Sequence, residues 1–281
     1  MSARAAVSTR IGLLFLASVG LWLAWSQNPP QPLTLQKLSD SLYVIVGSGG
    51  NVAFMPTPEG VILIDDKFAQ DAPEIVAKVK SVTDKPIRYV LNTHQHGDHT
   101  GGNEALLAAH AEIVIQKNAR ANMVAGKQPG LPHITFSDES QVFLGGKEVV
   151  ARYLGRGHTN GDAVIFFPSE RAIHTGDLFV SGAPFCDTSA GCSIKEWDKT
   201  LAKALEYDFD TVIPGHGPVT NKAGLLKYRD NVDKLRARAQ GLIREGKSEQ
   251  DVAKAMIAEF GWAADSLQMQ WSLPGMMKEL K

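Results

Sequence analysis

The chain has little excess charge of either sign, and this argues against one large class of partner. Its 281 residues include 29 Lys and Arg against 30 Asp and Glu, a formal net charge of -1. Binding to nucleic acid normally needs clustered Lys and Arg side chains that neutralise phosphates. We therefore predict a small-molecule substrate and no nucleic-acid partner.

Long hydrophobic runs are also scarce, since only one occurs. It covers residues 11–25, follows Arg4 and Arg10, and precedes a short polar and Pro-rich stretch. This layout is typical of a secretory signal peptide, and the run is shorter than the roughly 20 apolar residues that span a bilayer. We expect residues 1–26 to be a signal peptide cleaved near Ser26, with an uncleaved N-terminal anchor as the alternative. The mature protein would be periplasmic or secreted, without a stable membrane span.

Cysteine is rare, with only two residues in the chain. Cys186 and Cys192 lie close together in a stretch that resembles a loop. In an oxidising compartment they could pair, but spacing alone does not establish that their geometry permits a bridge. A disulfide and two free thiols are both open alternatives.

The remaining composition is that of a globular protein. Hydrophobic residues make up 44% and charged residues 21% of the chain, which favours neither disorder nor a multi-span membrane protein. We find no internal repeat and no low-complexity segment. The length suits one large α/β domain with extensions.

Apolar runs and helical spacing alternate along the chain after a three-stranded opening. The predicted strands are Leu42–Val46, Asn51–Met55, Gly60–Ile64, Ile87–Leu91, Ile113–Ile115, Val142–Leu144, Glu148–Leu154, Ala163–Phe167, Ala172–His174 and Thr211–Ile213. The predicted helices include Ala72–Val82, Thr100–His110 and Asn118–Ala125, with another around Trp197–Leu205. Strands followed by helices twice over favour an α/β fold, a four-layer αββα sandwich of two face-to-face sheets with helices outside.

The pattern becomes wholly helical near the end of the chain. We therefore expect residues 33–220 to form the sandwich and residues 221–281 to form a C-terminal helical extension packed on it. Within that extension, Ser248 and Asp251 have the spacing of a capping box at the start of a helix.

The stretch Thr93–Gly102 carries the strongest functional signal. It places four metal-binding residue types within six positions, after a predicted strand and before a Gly-rich turn: His94, His96, Asp98 and His99. His94 and His96 would point the same way from an extended strand end, because side chains alternate with period two. A lone histidine is usually structural, but four such residues at this spacing favour a metal site.

Three later residues each follow an apolar strand: His158, Asp177 and His216. The strand ends of a packed sandwich converge along one edge, so these residues could meet the first cluster there. Singly, each has an ordinary loop or turn role as its alternative. Together with the first cluster they supply ligands for two cations.

These motifs make the sequence resemble the metallo-β-lactamase superfamily over roughly residues 40–220. The HxHxDH signature is matched at 94–99, and the later His, Asp and His motifs follow in order. The resemblance implies that one metal is bound by His94, His96 and His158. It implies that the other is bound by Asp98, His99 and His216, with Asp177 bridging the two. Asp65 is similar to the family's supporting carboxylate, and an ordinary strand-terminal Asp is its alternative.

The resemblance also implies the cofactor and the reaction. Imidazole and carboxylate ligands suit two Zn²⁺ ions, and iron or manganese would accept the same set. Such ions can activate a water for attack on an acyl bond, with Asp98 as the residue that orients the water. We therefore predict a zinc-dependent binuclear hydrolase.

The substrate is less defined than the reaction. β-Lactamases of this superfamily usually carry Cys or Ser where this chain has Asp177, whereas glyoxalase II-like thioesterases carry Asp. The predicted export favours the compartment where β-lactams act, so a β-lactam or another cyclic amide or ester is our first hypothesis. A glyoxalase II-like thioesterase, a mononuclear-iron sulfur dioxygenase and a non-catalytic metal-binding protein are the alternatives. The sequence does not indicate an oligomeric state.

Overall fold

The computed structural model describes residues 32–281. The expected signal peptide or anchor, residues 1–26, lies outside this range. Within the described residues, no helix combines the length and the apolar character needed to cross a bilayer.

The chain folds into two β-sheets. The strands are β1 Thr34–Lys37, β2 Tyr43–Val46, β3 Val52–Thr57, β4 Gly60–Ile64, β5 Ile87–Asn92, β6 Glu112–Gln116, β7 Ile134–Phe136, β8 Glu139–Leu144, β9 Lys147–Tyr153, β10 Ala163–Phe167, β11 Ala172–His174, β12 Thr211–Ile213 and β13 Thr220–Asn221. The first sheet has the order β1 to β7, and the second has the order β13-β12-β11-β10-β9-β8. In the first sheet β1 to β4 pair antiparallel and β4 to β7 pair parallel. In the second sheet only β11 and β12 pair parallel.

Helices connect and cover these sheets. The α-helices are Ala72–Lys80, Gly97–Thr100, Asn103–Ala108, Lys117–Ala125, Ile194–Leu205, Lys222–Arg244, Glu249–Phe260 and Leu273–Glu279. Short 3-10 turns occur at Ala69–Asp71, Pro168–Glu170, Gly176–Leu178 and Thr188–Ala190, and a π-helical turn covers Gln268–Ser272.

Strand β4 illustrates why the layers form. All five of its residues are buried, but alternate side chains face opposite sides of a sheet. Ile62 and Ile64 join a cluster between the two sheets, whereas Val61 and Leu63 join a cluster with Ile75 on an outer helix. A strand that is apolar on both faces needs a layer on each side, and this requirement produces the sandwich.

The second sheet is covered in the same way. Its outer face packs on the helices that begin at Ile194, Lys222 and Glu249, through residues that include Trp197, Leu235 and Met256. The predicted four-layer αββα sandwich is confirmed. The predicted capping box is also present, because Ser248 and Asp251 each accept a hydrogen bond from the other's backbone.

Some element boundaries differ from the prediction. The predicted helix Thr100–His110 is two helices, Gly97–Thr100 and Asn103–Ala108. The break occurs because Gly101 N donates to Lys67 O and Gly102 N donates to Asp66 Oδ1. These two amides therefore donate to the loop after β4. The loop lies so close that a Cβ on Gly101 would be 2.8 Å from Lys67 O.

Candidate metal centre

The seven predicted site residues lie at one end of the sandwich. Each follows a strand of one of the two sheets: His94, His96, Asp98 and His99 come after β5, His158 after β9, Asp177 after β11 and His216 after β12. His96 has an extended backbone and immediately precedes the helix Gly97–Thr100, so the chain turns there and carries Asp98 and His99 sideways. The convergence predicted from the strand ends is therefore present in the fold.

The first group of donors consists of three imidazoles. His94 Nε2 lies 3.1 Å from His96 Nδ1, and His158 Nε2 lies 2.9 Å from the same atom. With one oxygen of Asp177, all these donor atoms lie within 4.8 Å of one another. We call His94, His96 and His158 the triple-histidine group.

The second group is formed by Asp98, His99 and His216, whose donor atoms also lie within 4.8 Å of one another. Asp98 Oδ2 is 3.2 Å from His216 Nε2 and 3.6 Å from His99 Nε2. We call these three residues the mixed group. One carboxylate and two imidazoles are a hard and borderline donor set that suits a divalent cation.

Asp177 lies between the two groups and presents one oxygen to each. Its Oδ2 is 3.6 Å from His158 Nε2 and 4.0 Å from His94 Nε2. Its Oδ1 is 3.2 Å from His99 Nε2 and 3.3 Å from His216 Nε2. This position is the one that a bridging carboxylate would need.

Burial and neighbouring charges shift the pKa values of these donor side chains in opposite directions. Burial lowers the pKa of His94 well below its usual value and lowers that of His158, so both imidazoles are neutral and keep a lone pair. Burial would also lower the pKa of His216, but Asp177 and Asp98 outweigh it and raise that pKa to about 9. Despite burial, His99 and His216 lower the pKa of Asp98 to about 2. Without a cation the site therefore combines ionised carboxylates and neutral imidazoles at His94 and His158 with a protonated imidazole at His216, and a bound cation would take the place of that proton.

The residues present fit divalent cations. Asp98 Oδ2, His99 Nε2 and Asp177 Oδ1 are buried, and within residues 32–281 their contacts of 3.2 and 3.6 Å lack the geometry of a hydrogen bond. Buried polar atoms are normally satisfied, and ligand atoms awaiting a metal are a recognised exception. Two groups of imidazole and carboxylate donors around one shared carboxylate are suited to two cations.

Asp65 supports the mixed group from the end of β4. Its Oδ1 accepts a hydrogen bond from Thr93 N at 2.7 Å, and its Oδ2 lies 2.7 Å from Thr93 Oγ1 and 2.8 Å from His99 Nδ1. It thereby fixes the ring of His99 with Nε2 toward the group. This geometry favours a supporting role for Asp65 over that of an ordinary strand-terminal Asp.

Two residues that support the site, Lys67 and Asp187, were not identified from the sequence. Lys67 is fully buried and donates from Nζ to Ser48 O and Gly50 O, at 2.9 and 2.6 Å. Gly50 N donates to Asp98 O, which brings the loop after β2 against the mixed group. Asp187 Oδ2 lies 2.8 Å from His96 Nε2. The Gly-rich stretch 47–50 was a visible signal for the contact of Gly50, but nothing in the local sequence distinguished Lys67 or Asp187.

The structure contains a disulfide between Cys186 and Cys192, with their Cα atoms 5.5 Å apart. This separation is typical of disulfides. Of the two alternatives left open by the sequence, the structure has the bonded one.

Comparisons with known proteins agree with the fold and the motifs. The sequence profile of the metallo-beta-lactamase superfamily matches residues 45–216. The chain is 28% identical over 226 residues to "Metallo-beta-lactamase type 2" of Bacillus cereus, covering 73% of this chain and 84% of that protein. It is 25% identical over 246 residues to "Beta-lactamase-like protein 2 homolog" of Caenorhabditis elegans, covering 82% of this chain and 80% of that protein.

A solved structure shares the fold. The metallo-beta-lactamase from Pontibacter korlensis superposes with a TM-score of 0.65 at 21% identity, covering 72% of this chain and 99% of that one. At this identity the likeness bears on the fold alone.

Proposed function

The chain belongs to the metallo-beta-lactamase superfamily of hydrolases, and from this premise we propose that it is a binuclear, zinc-dependent enzyme that cleaves an acyl bond in a small molecule. One observation carries the proposal. Seven donor side chains from four separate segments, each following a strand of one of the two sheets, form two groups around the two oxygens of Asp177.

Each residue has a stated part in this proposal. The triple-histidine group would hold one cation and the mixed group the other, with Asp177 shared. Two such cations, when bound, would lower the pKa of a shared water and polarise the carbonyl that is attacked. Asp98 would orient that water, because its carboxylate has a pKa of about 2 and is therefore ionised and able to accept a proton in a hydrogen bond at neutral pH.

For the substrate we propose a β-lactam or another cyclic amide or ester. The relative from Bacillus cereus carries the name of a metallo-beta-lactamase, which supports this class. The carboxylate at Asp177 is the feature that favours a thioester as the second candidate. We propose that the enzyme works in the periplasm or outside the cell, and the Cys186–Cys192 disulfide supports an oxidising compartment.

Metal analysis of the purified protein tests the cofactor. We expect about two zinc ions per chain, since two donor groups are present. A protein that contains one iron and no zinc would instead favour the sulfur dioxygenase chemistry. A panel of nitrocefin, a lactone, a thioester and a phosphodiester then assigns the substrate class. Full metal content with no turnover on any of them would contradict an enzymatic role.

The variant His96→Ala links the metal to the reaction. His96 Nδ1 is the atom shared by both short contacts of the triple-histidine group. We expect the variant to lose at least one zinc and more than about 100-fold in kcat/KM, as expected when a group that stabilises the transition state is removed. His133→Ala is the matched control, because His133 is exposed and lies outside both donor groups. Activity near that of the control would exclude this site as the seat of catalysis.

A further inference from the structure

The loop over residues 185–192 contacts two of the three rings of the triple-histidine group. His96 turns Nδ1 toward the group, and its Nε2 lies 2.8 Å from Asp187 Oδ2. His158 turns Nε2 toward the group, and its Nδ1 lies 2.6 Å from Phe185 O. A carbonyl and an ionised carboxylate can only accept, so the neutral form of each ring carries its proton on the nitrogen that faces the loop. The opposite nitrogen of each ring is left with a lone pair directed at the site.

Asp187 is itself held on every side. Its Oδ1 accepts hydrogen bonds from Ser189 N at 3.0 Å, Ser189 Oγ at 2.6 Å and Ala190 N at 3.2 Å. Its backbone N donates to His158 O at 3.0 Å, and its backbone O accepts from Cys192 N at 3.0 Å. The carboxylate is 8% exposed, so water competes little for the oxygen that faces His96. Asp187 is therefore held in one orientation, and this carboxylate determines the orientation of the His96 ring.

The loop is closed by the Cys186–Cys192 disulfide and held by the C-terminal segment. Ser272 Oγ accepts from Cys186 N at 2.9 Å and donates to Cys186 O at 3.1 Å. Glu279 accepts from Ser193 Oγ at 2.6 Å and from Ile194 N at 2.9 Å. Both residues lie beyond residue 216, where the match to the family profile ends. The C-terminal segment 268–279 thus reaches the metal centre through this loop.

We propose that Asp187 is a positioning residue for the triple-histidine group. It fixes His96 with the proton on Nε2 and directs Nδ1 at the cation, and the C-terminal segment holds Asp187 through the disulfide-closed loop. The inference rests on the proposed function, because it presumes that the group binds a cation. A carboxylate behind a ligating imidazole fixes the tautomer and raises the basicity of the ligand, and its loss typically costs about 10–100-fold in metal affinity. The mixed group is independent of this support, because His99 is held by Asp65.

Stepwise titration of the metal-free protein with Co²⁺, followed by visible absorption, tests the proposal. The variants are Asp187→Ala and Asp187→Asn. Asp84→Ala is the matched control, since it removes an exposed carboxylate that lies outside both donor groups. We expect Asp187→Ala to weaken one of the two binding steps by about 10–100-fold and to leave the other unchanged. Asp187→Asn should weaken the same step by a smaller factor, because an amide oxygen still accepts from Nε2 but carries no charge.

A second measurement needs no metal. Long-range ¹H–¹⁵N spectra of the metal-free protein report which imidazole nitrogen carries the proton. At a pH high enough for the imidazole of His96 to be neutral, we expect it to be protonated on Nε2 in the wild type and in Asp84→Ala, and to be a mixture of tautomers in Asp187→Ala. If Asp187→Ala does not fold, as judged by circular dichroism, Asp187→Asn supplies both measurements.

The outcomes separate this inference from the proposed function. A wild-type protein that binds no metal contradicts the proposed function and the inference with it. A wild type that binds two ions, with both Asp187 variants equal to it at both steps, overturns the inference alone.

Discussion

The two ends of the β-sandwich both bury charged side chains, but with opposite energetic results. At the end with the metal centre, Lys67 is fully buried, and burial outweighs the nearby carboxylates of Asp71, Asp98 and Asp65 and lowers its pKa to about 8. At the opposite end Glu170 lies in the turn before β11. Burial would raise its pKa, but hydrogen bonds from Ser39, Ser41 and Lys147 outweigh burial and lower it to about 2.

A pKa shift of this kind is also a statement about stability. The lowered pKa of Lys67 means that folding opposes its charge, whereas the lowered pKa of Glu170 means that folding favours its charge. The far end therefore uses a charge to hold the β1–β2 connection to the second sheet. The metal end keeps a charge that costs stability, and the compensation is the position of the loop that Lys67 holds.

The largest effect is expected where that loop touches the mixed group. A Cβ on Gly50 would lie 2.2 Å from His99 Cε1 and 2.5 Å from His99 Nε2. The ring cannot retreat, because Asp65 holds its Nδ1. We expect Gly50→Ala to displace the loop or the ligand and to lower kcat/KM by about 100-fold, which is typical of a misplacement of about 1 Å. Metal analysis and steady-state kinetics of Gly50→Ala measure the displacement of the ligand and the loss of activity.

Gly241→Ala is the control for this variant. Gly241 lies in the helix Lys222–Arg244, and nothing lies within 4 Å of a Cβ added there. Alanine in a helix should stabilise the protein by about 0.5–1 kcal/mol and leave activity unchanged. Equal activity of the two variants would show that the loop is not held against His99 as described.

The second prediction concerns Lys67 and is smaller. Its folded-state pKa is about 8 against 10.5 in the unfolded chain, so between these values the unfolded chain binds more protons. Stability must then rise with pH across this window. We expect the free energy of unfolding of the wild type, relative to Lys67→Met, to increase by about 3 kcal/mol between pH 7 and pH 10.5.

Denaturant unfolding at several pH values measures this difference. Lys80→Met serves as the matched control, since Lys80 is exposed at the end of the helix Ala72–Lys80. Its free energy relative to the wild type should not vary with pH across the window. If the difference in the free energy of unfolding between the wild type and Lys67→Met also did not vary with pH, it would contradict the energetic cost assigned to the buried ammonium group.

The sequence was sufficient for much of the fold because the buried strands carry their own signal. Four strands have the bounds that were predicted, because each is a short apolar run that is covered on both faces of its sheet. They are Gly60–Ile64, Ala163–Phe167, Ala172–His174 and Thr211–Ile213. Strand β1 was not predicted, because Thr34–Lys37 is an edge strand with mostly exposed side chains. The helix Leu273–Glu279 lies within the predicted helical extension 221–281, but its bounds were not predicted, because it contains a Pro and a Gly.

The candidate site divides in the same way. The donor residues have a local pattern, so the sequence alone predicts which residues they are and that strand ends bring them together. The residues that hold the donors in place have no such local pattern. Asp187 lies 91 residues after His96, and Lys67 bonds to carbonyl groups 17 and 19 residues before it. Tertiary contacts that use ordinary residue types leave no pattern in a single sequence.

The smallest effect is expected at the far end, and it sharpens the comparison because it should change stability without changing activity. Glu170 Oε2 accepts from Ser39 Oγ, and its Oε1 accepts from Ser41 Oγ and from Lys147 Nζ. The folded-state pKa is about 2 against 4.5 in the unfolded chain, so the contribution is complete above pH 4.5 and is lost as the pH falls toward 2. Since the surrounding groups are partly exposed to solvent, we expect Glu170→Gln to cost about 1 kcal/mol at pH 7.

This cost should shrink between pH 4.5 and pH 2, whereas the control variant Glu112→Gln, at an exposed position, should show no such trend. Metal content and kcat/KM should equal those of the wild type, and a loss of either in Glu170→Gln would mean that the two ends of the sandwich are coupled rather than separate.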